Sequence, residues 1–196
     1  KRVELILGSE NPRDGYGRVV SGLKTQDGNL SIHLLELGVG HLFIIPPDDT
    51  DMTPFLEAQA RAKEANRGIW STQRYQGTMH ITSFHANAPG DDRENVKGEY
   101  LRICNITQEP LNLDGYRLAK MTGKSWTLPA IVVPPGHTVK VHSSIGEHQA
   151  NPGEQLTIYL GSSVPIWNNT QDRATLYDRF GRVVDVVEQN VSKTTP

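Results

Sequence analysis

The chain opens on an extended pattern with a period of two, in which Val3, Leu5 and Leu7 alternate with Glu4 and Ile6. Turn chemistry follows in Asn11-Pro12-Arg13-Asp14-Gly15, and Val19-Val20-Ser21-Gly22-Leu23 resumes the extended pattern, which predicts a β-hairpin. Asn29 can then cap a short helix bearing Leu30, Ile32, Leu34 and Leu35, with Gly38 to stop it. Pro46-Pro47-Asp48-Asp49-Thr50-Asp51 reads as a loop whose acidic run complements the N-terminus of the next helix. That second helix is predicted from Thr53 through Phe55, Leu56, Gln59, Ala60, Lys63 and Glu64, and Gly68 ends it. Two strands and two helices make an incomplete folding unit.

From His80 onward the helical period disappears and short strands recur between well-marked turns. Candidate strands are 80–85, 99–106, 116–121, 125–128, 138–142, 155–159, 174–177 and 183–187. Asp114-Gly115, Thr122-Gly123, Pro134-Pro135-Gly136, Pro152-Gly153 and Phe180-Gly181 separate them. This pattern predicts a β-sandwich or barrel over 80–188. Residues 72–79 read as a linker and 189–196 as a frayed tail.

Composition narrows the class. At 196 residues the chain has room for two modest domains, and 18 Gly with 12 Pro suit short strands joined by many turns. Charge is balanced in both parts, with 8 Lys and Arg against 10 Asp and Glu over 1–71 and 12 of each in the remainder. A protein that wraps a duplex through backbone charge shows a broad basic face. Any nucleic-acid contact here is therefore expected to be local. Cys104 is the single cysteine, which excludes an internal disulfide, and it sits in a strand-like run as a structural thiol. No stretch is apolar for long enough to span a membrane. The chain starts at Lys1 without Met, so the lack of a signal peptide excludes nothing. Asn105-Ile106-Thr107, Asn168-Asn169-Thr170 and Asn190-Val191-Ser192 fit the glycosylation pattern, as short motifs do by chance.

Asp14-Gly15-Tyr16-Gly17-Arg18-Val19-Val20, Leu30-Ser31-Ile32-His33-Leu34-Leu35-Glu36-Leu37-Gly38, Glu57-Ala58-Gln59-Ala60-Arg61-Ala62-Lys63 and Gly68-Ile69-Trp70-Ser71 follow one another in that order. With them, residues 1–71 resemble the second half of a staphylococcal-type thermonuclease domain. The resemblance implies part of an OB-like barrel acting on DNA or RNA. It places Arg18 at the position of the catalytic arginine that reaches the scissile phosphate, and Tyr16 at that of a tyrosine that hydrogen-bonds a substrate phosphate. Such chemistry needs a group that can bind two equatorial oxygens of a phosphorane at once without losing its proton, which a guanidinium does. Gly15 stands where a lysine is common, which weakens substrate charge pairing more than chemistry. A second, base-stacking tyrosine of such enzymes falls near Ile44, so stacking is not expected there.

The same resemblance implies Ca²⁺ for a complete domain, held by aspartates on the first barrel strands, together with a water-activating glutamate and a second arginine. Those strands precede the position at which Lys1 falls, so no calcium ligand is expected in this chain. Asp14 is better read as a turn residue, and Glu4 and Glu10 as solvated. The expectation is a partner: the missing N-terminal half, in another chain or lost, must complete the barrel, because a hairpin with two open edges is not stable alone. The parent protein is then expected to be a Ca²⁺-dependent endonuclease, and this chain by itself inactive.

Gly98-Glu99-Tyr100-Leu101-Arg102-Ile103-Cys104-Asn105, Leu111-Asn112-Leu113-Asp114-Gly115-Tyr116-Arg117-Leu118, Trp126-Thr127-Leu128-Pro129, Trp167-Asn168-Asn169 and Asp172-Arg173-Ala174-Thr175-Leu176-Tyr177-Asp178 resemble a lamin tail domain over about 80–188. That resemblance implies an immunoglobulin-like sandwich serving interaction or targeting, with its partner unnamed, and a secreted or surface location of the kind such domains share with bacterial nucleases. The fold class is thus mainly β with two helices: a partial OB-like barrel and an immunoglobulin-like sandwich. Arg117, Lys120 and Lys124 could line a hairpin as a phosphate patch or simply form a solvated face. His137 and His142 have opposite parity along a strand, which argues against a shared metal. Asp178-Arg179-Phe180-Gly181-Arg182 nearly repeats the motif around Arg18, and Arg182 is read there as an ordinary hairpin arginine. Two rival readings stand beside a nuclease: a non-catalytic binding module that keeps the scaffold, and an interaction protein acting through the sandwich.

Overall fold

The computed structural model describes residues 2–7, 13, 17–47 and 50–190. The chain forms two compact units, residues 1–42 with 48–76 and residues 43–47 with 77–196.

In the first unit, β1 (Glu4–Ile6), β2 (Gly22–Thr25) and β3 (Gly28–Asn29) make an antiparallel sheet in that order, with Leu5 opposite Leu23. This is the predicted hairpin, extended by a third strand too short to carry a period. α1 (Leu30–Glu36) starts where the Asn29 side chain accepts from the backbone N–H of Ser31 and Ile32, 2.9 and 3.4 Å away. α2 (Thr53–Glu64) buries Ala58, Gln59 and Ala62. Asp51, the described end of the acidic run, accepts from Thr53 N–H at 3.0 Å, and this bonding to Thr53 holds its carboxyl below the usual range; Asp48 and Asp49 lie outside the described residues. Gln59, fully buried, accepts from Leu42 N–H at 2.7 Å and so ties the chain after α1 to α2.

Two glycines seal this unit. Gly38 and Gly68 have φ of +67° and +55°, and Ile69 N–H donates to Gly38 O at 2.8 Å. A Cβ at either position would stand 2.3 or 2.1 Å from a backbone oxygen of the other segment. The close approach seats fully buried Trp70, on whose ring Tyr75 packs edge-on at 6.1 Å. Tyr75 belongs to a 3-10 turn, Gln73–Tyr75, within the segment read as a linker.

The second unit is a sandwich. β4 (Met79–His85), β5 (Tyr100–Asn105), β10 (Thr138–Ser144) and β11 (Leu156–Ser162) form one sheet in the order β11-β10-β5-β4, with β10 and β11 parallel. β7 (Arg117–Lys120), β8 (Ser125–Thr127), β12 (Gln171–Tyr177) and β13 (Val183–Asn190) form the other, in the order β13-β12-β7-β8. β6 (Leu111–Asn112) pairs with β9 (Val132–Val133) at the side. All eight predicted strands are present; this last pair, two residues each, has no legible period. Leu101, Ile103, Val139, Val141, Leu156 and Ile158 from the first sheet meet Leu118, Ala174 and Leu176 from the second in one core. Segment 43–47 joins this unit: Ile44, 5% exposed, forms a parallel bridge with His137, and its carbonyl accepts from Thr138 N–H at 3.1 Å.

Candidate functional site

Arg18 stands on the second arm of the hairpin, just after Gly17. Arg13 and Val19 form an antiparallel bridge, Arg13 Nη1 donates to Gly17 O at 2.5 Å, and Gly17 takes φ of +76°, a conformation that only glycine adopts cheaply. Arg18 follows directly and is exposed. Tyr16, with Asp14 and Gly15, lies outside the described residues. Around Arg18 the hairpin is apolar and uncovered, with Leu5, Ile6, Val19 and Val20 between 46% and 60% exposed. A cleft of about 320 Å³ lined by Arg2, Asp27, Asn29 and His33 opens at the far end of the β1–β2 pair, away from Arg18.

The near-repeat in the sandwich shows what this local chemistry does when it is purely architectural. Gly181, with φ of +78°, occupies the place of Gly17. Asp178 accepts from the backbone N–H of Phe180 and Arg182, both at 2.9 Å, and from Arg182 Nε at 2.7 Å. Aspartate, left-handed glycine and arginine thus close a β-turn by themselves.

A calcium ion needs about six converging oxygens. Among the described residues no group of three or more His, Cys, Asp or Glu is arranged to hold a metal. Glu4 is exposed on β1 and Asp51 is spent on Thr53. The described residues therefore do not fit the calcium that a thermonuclease-like domain implies.

Polar groups inside the sandwich are structural. Glu99, fully buried, accepts from Ile166 and Trp167 N–H at 2.7 and 3.2 Å, and burial pushes its carboxyl up. Asp172 accepts from Met121, Arg173 and Asn168 N–H; burial pushes its carboxyl up, but these bonds and nearby Lys120 outweigh burial and leave it lowered. Lys120 Nζ lies 3.3 Å from Asp172 Oδ2 and 2.5 Å from Ile166 O. Of the three cations considered as a hairpin patch, Lys120 is thus committed inward, while Arg117 lies over the Tyr177 ring and Lys124 over Trp126. Asn105, buried, donates to Glu109 and Val133 carbonyls, which removes it from any glycosylation role. Cys104 is buried, and burial raises its thiol to about 12.

The two histidines do separate: His137 Nδ1 sits 3.1 Å from Pro135 O, and His142 Nδ1 2.8 Å from Lys97 O. What single-strand reading could not reveal is the row that His142 joins. His85, Tyr100, His142 and Tyr159 are register partners across β4, β5, β10 and β11. Their rings run side by side, His85–Tyr100 stacked at 4.3 Å and His142–Tyr159 at 5.2 Å. Two residues along each strand, on the same face, Ser83, Arg102, Lys140 and Thr157 form a second row. The alternation of Tyr100 and Arg102 with buried Leu101 and Ile103 signalled an outward face; the cross-strand register was not in the sequence.

A sandwich of this topology joined to a hairpin-and-two-helix unit defines the class as a two-module protein of lamin-tail and nuclease-like parts. The chain belongs to the Lamin Tail Domain family, whose model matches residues 72–190, and residues 2–72 match the Staphylococcal nuclease homologue family. None of the curated proteins compared with it matches the chain.

Proposed function

We propose that residues 2–72 are part of a phosphodiesterase acting on DNA or RNA, and that the lamin tail domain places this activity on a substrate or partner. The observation that carries the proposal is the family match over 2–72 with Arg18 exposed beside left-handed Gly17 at its hairpin tip. In this reading Arg18 binds equatorial oxygens of the scissile phosphate and stabilises the charge that gathers there as water attacks phosphorus. Tyr16 hydrogen-bonds a substrate phosphate. The uncovered apolar hairpin and the open β1 edge accept further strands, which bring the carboxylates that the described residues lack.

The test is cleavage of single-stranded DNA by the chain mixed with a polypeptide carrying the first strands of such a barrel, with Ca²⁺ supplied. Cutting is expected from the mixture, and Arg18→Ala is expected to lower the rate about 10²- to 10³-fold, the usual cost of removing one charge-stabilising donor. An Arg18→Ala mixture that cuts as fast as the unaltered one removes Arg18 from the mechanism. A second reading, a binding module without catalysis, is favoured by the lack of an acidic cluster among the described residues. It requires DNA binding by the mixture with no cutting.

A further inference from the structure

The outer face of the β11-β10-β5-β4 sheet has a charge arrangement that folding alone does not explain. Arg102 on β5 and Lys140 on β10 are directly opposite each other in an antiparallel pair. Like charges at directly opposed positions destabilise a sheet. Among the described residues no carboxylate lies within ion-pairing distance of Lys97, Arg102 or Lys140, and Arg102 Nη1 donates to the neutral Gln155 Oε1 and Thr138 Oγ1.

The surrounding groups record the same unbalanced field. Burial first, then the charge of Lys140, depress His142 to about 4, and Arg102 and Lys97 add to it. His85 is lowered by burial, Lys140 and Arg102, and Lys140 itself by burial, Arg102 and Lys97. At neutral pH the histidines of the row are therefore uncharged, and the cations are three.

Around the cations stand rings. Lys140 Nζ lies 3.9 Å over the Tyr100 ring, the Arg102 guanidinium 5.6 Å over Phe43, and Tyr100 is in turn stacked on exposed His85. Lys97, exposed in the 3-10 turn Val96–Gly98, is fixed beside the row through its carbonyl, to which His142 Nδ1–H donates. Cations set among aromatic rings on a sheet face are the means by which proteins hold a single strand of nucleic acid: phosphates meet the cations and an unpaired base finds a ring; here Tyr100, Arg102 and Lys140 are half-buried, and His85 and Lys97 are exposed. An acidic peptide would use the cations and leave the rings without purpose.

We propose that this face, through Lys97, Arg102 and Lys140 with the His85–Tyr100 ring pair, binds the phosphodiester backbone of single-stranded nucleic acid. The site is separate in sequence from the Arg18 hairpin and does not depend on that hairpin being catalytic.

The experiment is fluorescence anisotropy of labelled oligo-dT titrated with the whole chain at low salt, with EDTA present to prevent cutting. Lys140→Ala and Lys97→Ala are each expected to weaken binding about fivefold or more and to reduce the slope of log K against log salt by about one. Lys140→Ala is expected to keep or raise the melting temperature, since it removes a cross-strand repulsion, so lost binding cannot be lost folding. Lys124→Ala, in the turn between β7 and β8 of the other sheet, is expected to bind as the unaltered chain does. No binding by the unaltered chain, or binding by both lysine variants as tight as that of the unaltered chain, overturns the proposal. So does displacement of oligo-dT by polyglutamate at equal charge concentration, which assigns the face to acidic polymers in general. Binding lost in Arg18→Ala but kept in Lys140→Ala assigns the contact to the hairpin and overturns this proposal while leaving the nuclease reading standing.

Discussion

His142 shows at the residue scale how burial and neighbouring charge become a pH response. Its folded pKa is depressed to about 4, first by burial and then by Lys140, with its Nδ1–H held by Lys97 O at 2.8 Å. A depressed histidine binds fewer protons folded than unfolded. Its stabilising contribution is therefore complete above the ordinary histidine value and is lost as pH falls from about 6.5 towards about 4. Asp172, also depressed, acts the same way in a lower window, below the ordinary value of 3.8. Glu99, raised by burial, has the opposite sign: its contribution is present below the ordinary glutamate value and fades as pH rises through its folded value. The melting temperature of the sandwich is accordingly expected to drop between pH 7 and pH 5, and His142→Phe is expected to flatten that drop while lowering stability at both values for the lost hydrogen bond. An unchanged slope in the variant would show that other groups carry the acid response. In sequence His142 was legible only as a member of a strand with a given parity. Its environment comes from Lys97, Lys140 and Tyr159, residues 45, 2 and 17 positions away, which only pairing brings together.

The elements follow local rules closely where those rules are strong. Asn29 caps α1, Asp51 supports the start of α2, and Gly38 and Gly181 stand at positive φ where a helix end and a turn were read. Gly68 adds something that local rules do not contain, since its freedom is needed both for a φ of +55° and for backbone contact with Gly38. Gly38→Ala and Gly68→Ala are each expected to destabilise the first unit by about 3 kcal/mol, because a Cβ there meets backbone, which cannot rotate away as a side chain can. Thermal or urea unfolding followed by Trp70 fluorescence measures this, and a loss well under about 1 kcal/mol would mean that the two segments separate at little cost. Strands of two residues were not legible, as for β3, β6 and β9, because two positions cannot display a period.

At the scale of the molecule, the two compact units differ in how fully they enclose apolar surface. The sandwich closes one core from both sheets, whereas the hairpin leaves Leu5, Val19 and Val20 more than half exposed. Cys104 reports on the closed core: buried, with its thiol raised to about 12, it is expected to resist a thiol reagent at pH 8 in the native chain and to react at once in denaturant. Rapid reaction without denaturant would mean that the β5–β10 pair opens easily. The boundary between units also departs from chain order, because 43–47 leaves the nuclease-like stretch to bridge His137. By itself the sequence determined the two modules, the two helices, the Asn29 cap and the eight main strands of the sandwich, since alternation, turn residues and capping act between near neighbours. Only the tertiary structure decided that Lys120 turns inward to Asp172, that Ile44 joins the sandwich, and that Arg102 faces Lys140 beside a row of rings. Those outcomes depend on register between strands distant in the chain, and register is set by the packing of the whole core rather than by any segment within it.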